Sequence, residues 1–221
     1  LDPDRGDGVY LISGGLAGGY TFKLEEWKRD VYGKFWVSLT ARSFVLHWAR
    51  SKLGTPYGFG CKDQFVSGPQ AGRCAEKYGP DSIRIDCSGL IEFAYDMVGF
   101  PFFVGKNAQG QYDFVKGNFR IPSGDAVQLG DLIFFENTYE KPWSDDGNFC
   151  NEGVSHVGIV FDHRELWLAA EDDMVQFYCS PAFYDANPSR CIKSKVWAYA
   201  PETGGRPCSR FFSYGSVLSG P

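Results

Sequence analysis

Two residues of this chain have the type and the local setting for nucleophilic chemistry, Cys87 and His156. Cys87 lies in Asp86-Cys87-Ser88-Gly89-Leu90, which opens an apolar run through Val98 that stops at Gly99. Leu90, Phe93, Ala94 and Met97 recur on one helical face, Asp86 is a good N-cap, and Gly99 suits the position just past the last turn. The spacing therefore predicts a helix with Cys87 in its first turn. There the unsatisfied backbone N–H groups and the positive end of the helix dipole favour a thiolate, the nucleophilic form of cysteine. Helix N-termini also hold inert cysteines, so a base is required.

His156 supplies one. Residues 154 to 161 read as a strand that sets this histidine among β-branched neighbours. A lone histidine in an apolar strand is often a satisfied core residue. Beside a helix-borne cysteine it can instead take the thiol proton and later return it to a leaving amine. Of the other two histidines, His47 lies off the apolar stripe of its predicted helix and is expected at the surface. His163 falls in a turn with no second ligand type nearby, so no metal site is expected.

At these residues the chain resembles the NlpC-type cell-wall peptidases of the papain-like superfamily. Four stretches match in the family's order: Leu53-Gly54-Thr55-Pro56-Tyr57-Gly58, then Asp86 to Leu90, then Leu129-Gly130-Asp131-Leu132-Ile133-Phe134-Phe135, then Ser155-His156-Val157-Gly158-Ile159. The resemblance implies an α+β, papain-like NlpC-type fold, with the helix bearing the catalytic Cys87 packed on an antiparallel β-sheet that bears His156. It implies a secreted cysteine endopeptidase that cuts an amide of peptidoglycan stem peptides, most often between D-glutamate and a diamino acid, through a thioester and without a cofactor. Tyr57 is carried over as a substrate-binding residue close to the cysteine. Asp86 and Ser88 are carried over as part of the site for the free amino end of a stem peptide, although N-capping alone would account for Asp86.

The third catalytic residue is where this chain departs from the family, which has a polar residue near positions 167 to 170 to orient the imidazole. Here stands Leu168-Ala169-Ala170. Glu171, Asp172 or a backbone carbonyl is left for the role, and Glu171 is preferred. The rival readings are an amidase or acyltransferase on another substrate, and a disulfide-rich binding or toxin-like protein that kept the fold and lost activity.

The elements that must position these groups follow from local pattern. Thr40 is a plausible N-cap for a helix over 41–53, with Val45, Trp48, Ala49 and Leu53 on one face, ended by Gly54 and Pro56. Residues 59–85, with two Gly-Pro pairs and two cysteines, read as a loop that needs a staple and borders the site. Residues 101–124 show no clear period. Gly130-Asp131 reads as a turn into a buried strand, and a second unusual loop, 137–153, leads into His156. These two loops are expected to wall the cleft. Further strands are expected over 165–170, 174–178 and 195–200. The expected organisation is an N-terminal arm over residues 1–40, with a possible short helix at 24–32, a catalytic domain over 41–200 and a tail over 201–221.

The chain has 221 residues, enough for one substantial core, and a formal charge of -5 with no basic run, which argues against nucleic acid or an anionic membrane as partner. No apolar stretch approaches the roughly 20 residues of a membrane span, and a monomer is expected. Seven cysteines leave one over. If that one is Cys87, three disulfides are expected among Cys61, Cys74, Cys150, Cys179, Cys191 and Cys208, with Cys61–Cys74 and Cys179–Cys191 the locally economical pairs.

Overall fold

The computed structural model describes residues 9–11, 21–23, 33–62, 69–79, 83–138, 153–171, 173–194, 196 and 210–218. The expected elements at 24–32 and 195–200 (Val196 aside), most of the 137–153 loop, and Asp172, Cys150 and Cys208 lie outside them. Near the N-terminus, β1 (Val9–Leu11) and β2 (Thr21–Lys23) pair antiparallel.

Helix α1 (Gly33–Arg50) begins at Gly33, not at Ala41 as Thr40 suggested. Nothing from Lys34 to Leu39 breaks a helix, so Thr40 is absorbed into its interior. It also ends earlier, which leaves Leu53 in the turn that follows and exposed. Gly54, at φ 81°, makes that turn. His47 is exposed, as expected.

Segment 59–85 is not wholly loop, since it contains α2 (Pro69–Tyr78), whose first residue is a proline already set for a helical start. A disulfide, Cys61–Cys74, staples it. Helix α3 (Cys87–Asp96) carries the cysteine, and its end matches the sequence pattern. Phe100 N donates to Tyr95 O (3.0 Å) and Gly99 N to Asp96 O (2.9 Å), with Gly99 at φ 76°, the paired bonds of a Schellman turn. Every residue from Cys87 through Tyr95 is buried, wider burial than a one-face stripe implies. The helix is covered by α1, by the sheet and by α4 (Ala108–Asn118), which forms in the stretch read as aperiodic because Asn107 caps Gly110 N.

The strands are β3 (Leu132–Glu136), β4 (Val154–His163), β5 (Leu166–Glu171), β6 (Met174–Cys179), β7 (Ile192–Lys193) and β8 (Arg210–Gly215), with a short helix α5 (Pro181–Ala186) between β6 and β7. They form one sheet in the order β7-β6-β5-β4-β3-β8. All pairs are antiparallel except β6 with β7, which run parallel because α5 supplies the crossover. Residues 210–215, read as tail, are an edge strand of the main sheet.

Both faces of this sheet are covered, which is why β3 reads as an unbroken apolar run. Leu132, Phe134, Val157, Ile159 and Leu168 cluster with Leu90, Ile91 and Ala94 of α3. Ile133, Phe135, Val160 and Trp167 form a second cluster with Tyr178 and Tyr214. Gly158 allows the closest approach across the sheet, since a Cβ there would stand 2.5 Å from Trp167 Cδ1.

A buried polar knot ties α1 to the end of this layer where β3 begins and β8 finishes. Arg42 Nη1 donates to Asp131 Oδ1 (2.7 Å) and Leu129 O (2.8 Å), and Nη2 to Ser216 Oγ (2.9 Å). Asp131, simply a turn residue from sequence, does accept from Gln128 N (2.8 Å) but is also this ion pair's anion. Removing one member of a buried pair strands the other charge. Asp131→Ala is expected to lower unfolding free energy by about 3–5 kcal/mol in denaturant titrations; a loss below about 1 kcal/mol would mean that the knot is dispensable.

Candidate active site

The start of α3 is built by its cap. Asp86 Oδ1 accepts from Gly89 N (2.6 Å) and from Ser88 Oγ (2.9 Å), which closes the first turn and sets Cys87 at its head. Cys87 is the free cysteine among the described residues, and it is buried. Asp86 N in turn donates to Cys61 O (2.8 Å), so the chain beside the first disulfide holds the cap in place.

Tyr57 reaches the same place from the turn after α1. Its N–H donates to Asp173 O (2.7 Å), and its carbonyl accepts from Arg84 Nη1 (2.8 Å), two residues before the cap. The turn is thus held between the β5–β6 connection and the strand-like approach to Cys87.

His156 and Glu171 come from neighbouring strands. The β4–β5 ladder pairs Ile159 with Leu168 and Val160 with Trp167; continued by three positions, that register sets His156 opposite Glu171. His156 Nε2 lies 3.4 Å from Glu171 Oε2, both side chains being buried. The alignment makes this an ion pair and not a closed hydrogen bond. Glu171 is itself steered by Ser194, whose Oγ donates to Oε1 (3.2 Å), and its backbone carbonyl accepts from Tyr178 Oη (2.6 Å). Ser194 is placed by its N–H bond to Cys179 O (3.0 Å), next to the second disulfide, Cys179–Cys191.

These groups line one cavity of about 610 Å³, in which Tyr57, Asp86, Cys87, Ser88, His156 and Glu171 meet. Burial works against a charged imidazole here, but the negative charge and hydrogen bonding of Cys87, then the nearby carboxylate of Glu171, outweigh it and push His156 up to about 10. With Nε2 turned to Glu171, Nδ1 is the nitrogen left to face the sulfur. A thiolate and imidazolium supported by a carboxylate can attack an acyl carbon and protonate the group that leaves.

The sequence matches the family model for NlpC/P60 over residues 54–180. This chain belongs to the NlpC/P60 family. Helix α1 and strand β8 lie outside the matched stretch. The peptidoglycan endopeptidase RipB of Mycobacterium tuberculosis is 33% identical over 97 residues, 43% of this chain and 35% of that protein. The chain thus spans about a third of that curated relative's length. Among solved structures, the P60 domain of an M. avium paratuberculosis antigen is 18% identical, covering 68% of this chain and 91% of that one at a TM-score of 0.45. A structure of M. tuberculosis RipB is 20% identical, covering 72% and 68%, at 0.43. These structural likenesses are too distant to bear on the site.

The NlpC/P60 domain also holds polar residues that the sequence did not mark. Buried Lys62 donates from Nζ to Ser88 Oγ and to Lys106 O (3.0 Å), and lies 3.5 Å from Asp86 Oδ1 and 3.8 Å from Glu92 Oε2. Burial pushes the Glu92 carboxyl up, against the pull of Lys62 and of a backbone hydrogen bond from Gly105. Glu92 was the available signal, because an acid inside an otherwise apolar helix needs a cation. Gln111 Nε2 bonds Ser88 O (2.8 Å) and Gln109 Oε1 accepts from Val154 N (2.6 Å), so α4 braces both the cysteine helix and the histidine strand. Ser194 had no signal beyond its nearness to Cys191.

A folded-state value above the ordinary imidazole value of 6.5 fixes the sign of the linkage. The stabilisation His156 contributes is complete below pH 6.5 and is lost as pH rises through about 10. The imidazole proton NMR signals of His156 should accordingly titrate near pH 10, and in Cys87→Ala the midpoint should fall; an unchanged midpoint would separate the two side chains.

Proposed function

We propose that this chain is a secreted cysteine endopeptidase that hydrolyses amide bonds in peptidoglycan stem peptides, between D-glutamate and a diamino acid. The observation that carries this reading is the convergence of Cys87, His156 and Glu171 in one cavity of a chain that belongs to the NlpC/P60 family. The curated relative RipB, a peptidoglycan endopeptidase, supports the substrate class.

In this mechanism the Cys87 sulfur attacks the scissile carbonyl and forms a tetrahedral oxyanion, for which the Cys87 backbone N–H at the helix start is a suitable donor. His156 then gives its proton to the departing amine, leaving a thioester on Cys87. The neutral imidazole takes a proton from water, which attacks the thioester and releases the acid. Glu171 keeps the ring oriented and compensates its charge, as the third member of a triad does. Tyr57, Asp86 and Ser88 line the acyl side. Two disulfides among the described residues support an oxidising compartment.

The reading predicts that Cys87→Ala abolishes release of the diamino acid from defined stem peptides, and that Glu171→Gln lowers kcat by about 10²- to 10⁴-fold. In the parent protein kcat/KM should hold through neutral pH and fall as pH rises through about 10, where His156 loses its proton. Iodoacetamide should label Cys87 faster in the parent protein than in His156→Ala at neutral pH. Equal labelling rates in the two proteins would exclude this mechanism.

A further inference from the structure

Glu171 is the last residue of β5, beyond Leu168-Ala169-Ala170, so its carboxylate lies where the ladder gives way to the turn into β6. Tyr178 Oη holds its backbone carbonyl, and the contact with His156 is an ion pair at 3.4 Å and not a closed hydrogen bond. Among the described residues, the hydrogen-bond donor to the carboxylate is Ser194, whose Oγ lies 3.2 Å from Oε1 and 3.5 Å from Oε2. That oxygen accepts from Val196 N (3.1 Å), which leaves the hydroxyl proton for Glu171. Ser194 is buried behind Glu171 and is not one of the residues lining the cavity.

The segment that carries Ser194 is lightly anchored among the described residues. Strand β7 is two residues long and pairs with β6 at Tyr178–Ile192 and Cys179–Lys193. So short an edge pairing is marginal by itself. Ile192 is 44% exposed, and the Lys193–Asp185 ion pair lies at the surface, where such pairs contribute little. Val196 is buried beyond Ser194. The bonds that tie Ser194 to β6 are its own N–H to Cys179 O (3.0 Å) and the Cys179–Cys191 disulfide, three residues upstream. The two disulfides differ in access. Cys61, Cys74 and Cys179 are buried, but Cys191 is half-buried in a bend. Access governs which sulfur a thiolate from solution can attack, and here it favours Cys191.

We propose that Ser194 is a positioning residue acting through Glu171, and that the Cys179–Cys191 bond makes its support conditional on oxidation, so that a dithiol reductant converts the site to a weakly active form. One thiolate of the reductant attacks Cys191 Sγ and expels the Cys179 sulfur, which takes up a proton. The second thiolate attacks the mixed disulfide and frees Cys191, which takes up another. Two electrons pass to the protein, and the reductant leaves as its own disulfide. Ser194 then loses its place beneath Glu171, and the carboxylate is free to turn from His156. Cys87 is already a thiol and is unchanged by the reagent. The response is therefore opposite to the protection that reductants ordinarily give a cysteine nucleophile against oxidation. The inference rests on the triad role proposed for Glu171.

The test takes the full oxidised chain at neutral pH, treats it with dithiothreitol, desalts it without air, and maps by mass which bond has opened. Cys179–Cys191 should open before Cys61–Cys74. The opened protein should keep its far-UV circular dichroism, lose at least about tenfold in kcat on a defined stem peptide with little change in KM, and recover on reoxidation. The NMR titration midpoint of His156, which needs no substrate, should fall as Glu171 leaves the ring. Ser194→Ala with both disulfides closed should reproduce the two changes, and it decides the matter if the reduced protein unfolds. An unchanged kcat or midpoint in Ser194→Ala, full activity in the opened protein, or earlier opening of Cys61–Cys74 overturns the inference. Glu171→Gln separates the two readings: a low kcat there beside a parent-like Ser194→Ala keeps the triad and removes Ser194. If the parent cleaves no stem peptide, the peptidase reading falls and the His156 midpoint alone decides for or against Ser194.

Discussion

A β-ladder has a side-chain period of two, so a slip of one residue between β4 and β5 would turn Glu171 away from His156 and leave the imidazole without its carboxylate. The register is held by what lies along the same strands. Ile159 and Leu168 are buried against α3, Val160 and Trp167 on the other face, and Gly158 leaves room for the Trp167 ring. A slipped pairing would exchange these two buried sets. Apolar packing over the length of two strands thus enforces a polar contact at their ends.

The cysteine side depends on a different constraint, the disposal of charge in a buried setting. Asp86, Glu92 and Lys62 lie together at the head of α3 with little access to water, where an unpaired charge would be costly. Ser88 and Lys106 O complete the shell around the ammonium. The cap that fixes Cys87 and the cation that shapes the neighbouring surface therefore belong to one cluster, and a change in either is felt by the other.

Both disulfides among the described residues serve these two halves of the site. Cys61–Cys74 binds α2 to the segment that carries Lys62 and that accepts the Asp86 N–H. Cys179–Cys191 closes the loop containing α5 and brings Ser194 under Glu171. In each case a cross-link stands one or a few residues from a group that orients a charged side chain. Such short closures restrict the unfolded chain, and here they also limit the freedom of the second layer around the reacting groups.

Local signals determined much of this. The Asp86 cap, the Cys87 helix with its Gly99 end, the strand around His156, the turn at Tyr57 and the two short-range disulfides are each written in a dozen or so contiguous residues, where capping and periodicity act. What needed the tertiary structure were the long-range pairings. The placement of Glu171 beside His156 is a matter of strand register. Arg42 with Asp131, Lys62 with Asp86 and Glu92, and Ser194 with Glu171 join residues 23 to 89 positions apart. No local pattern distinguishes these from solvated polar residues. Strand β8, whose apolar residues read as a tail, acquires its role only by pairing with β3. A buried charge or an edge strand is defined by what the rest of the chain brings against it, and that is decided when the layers close.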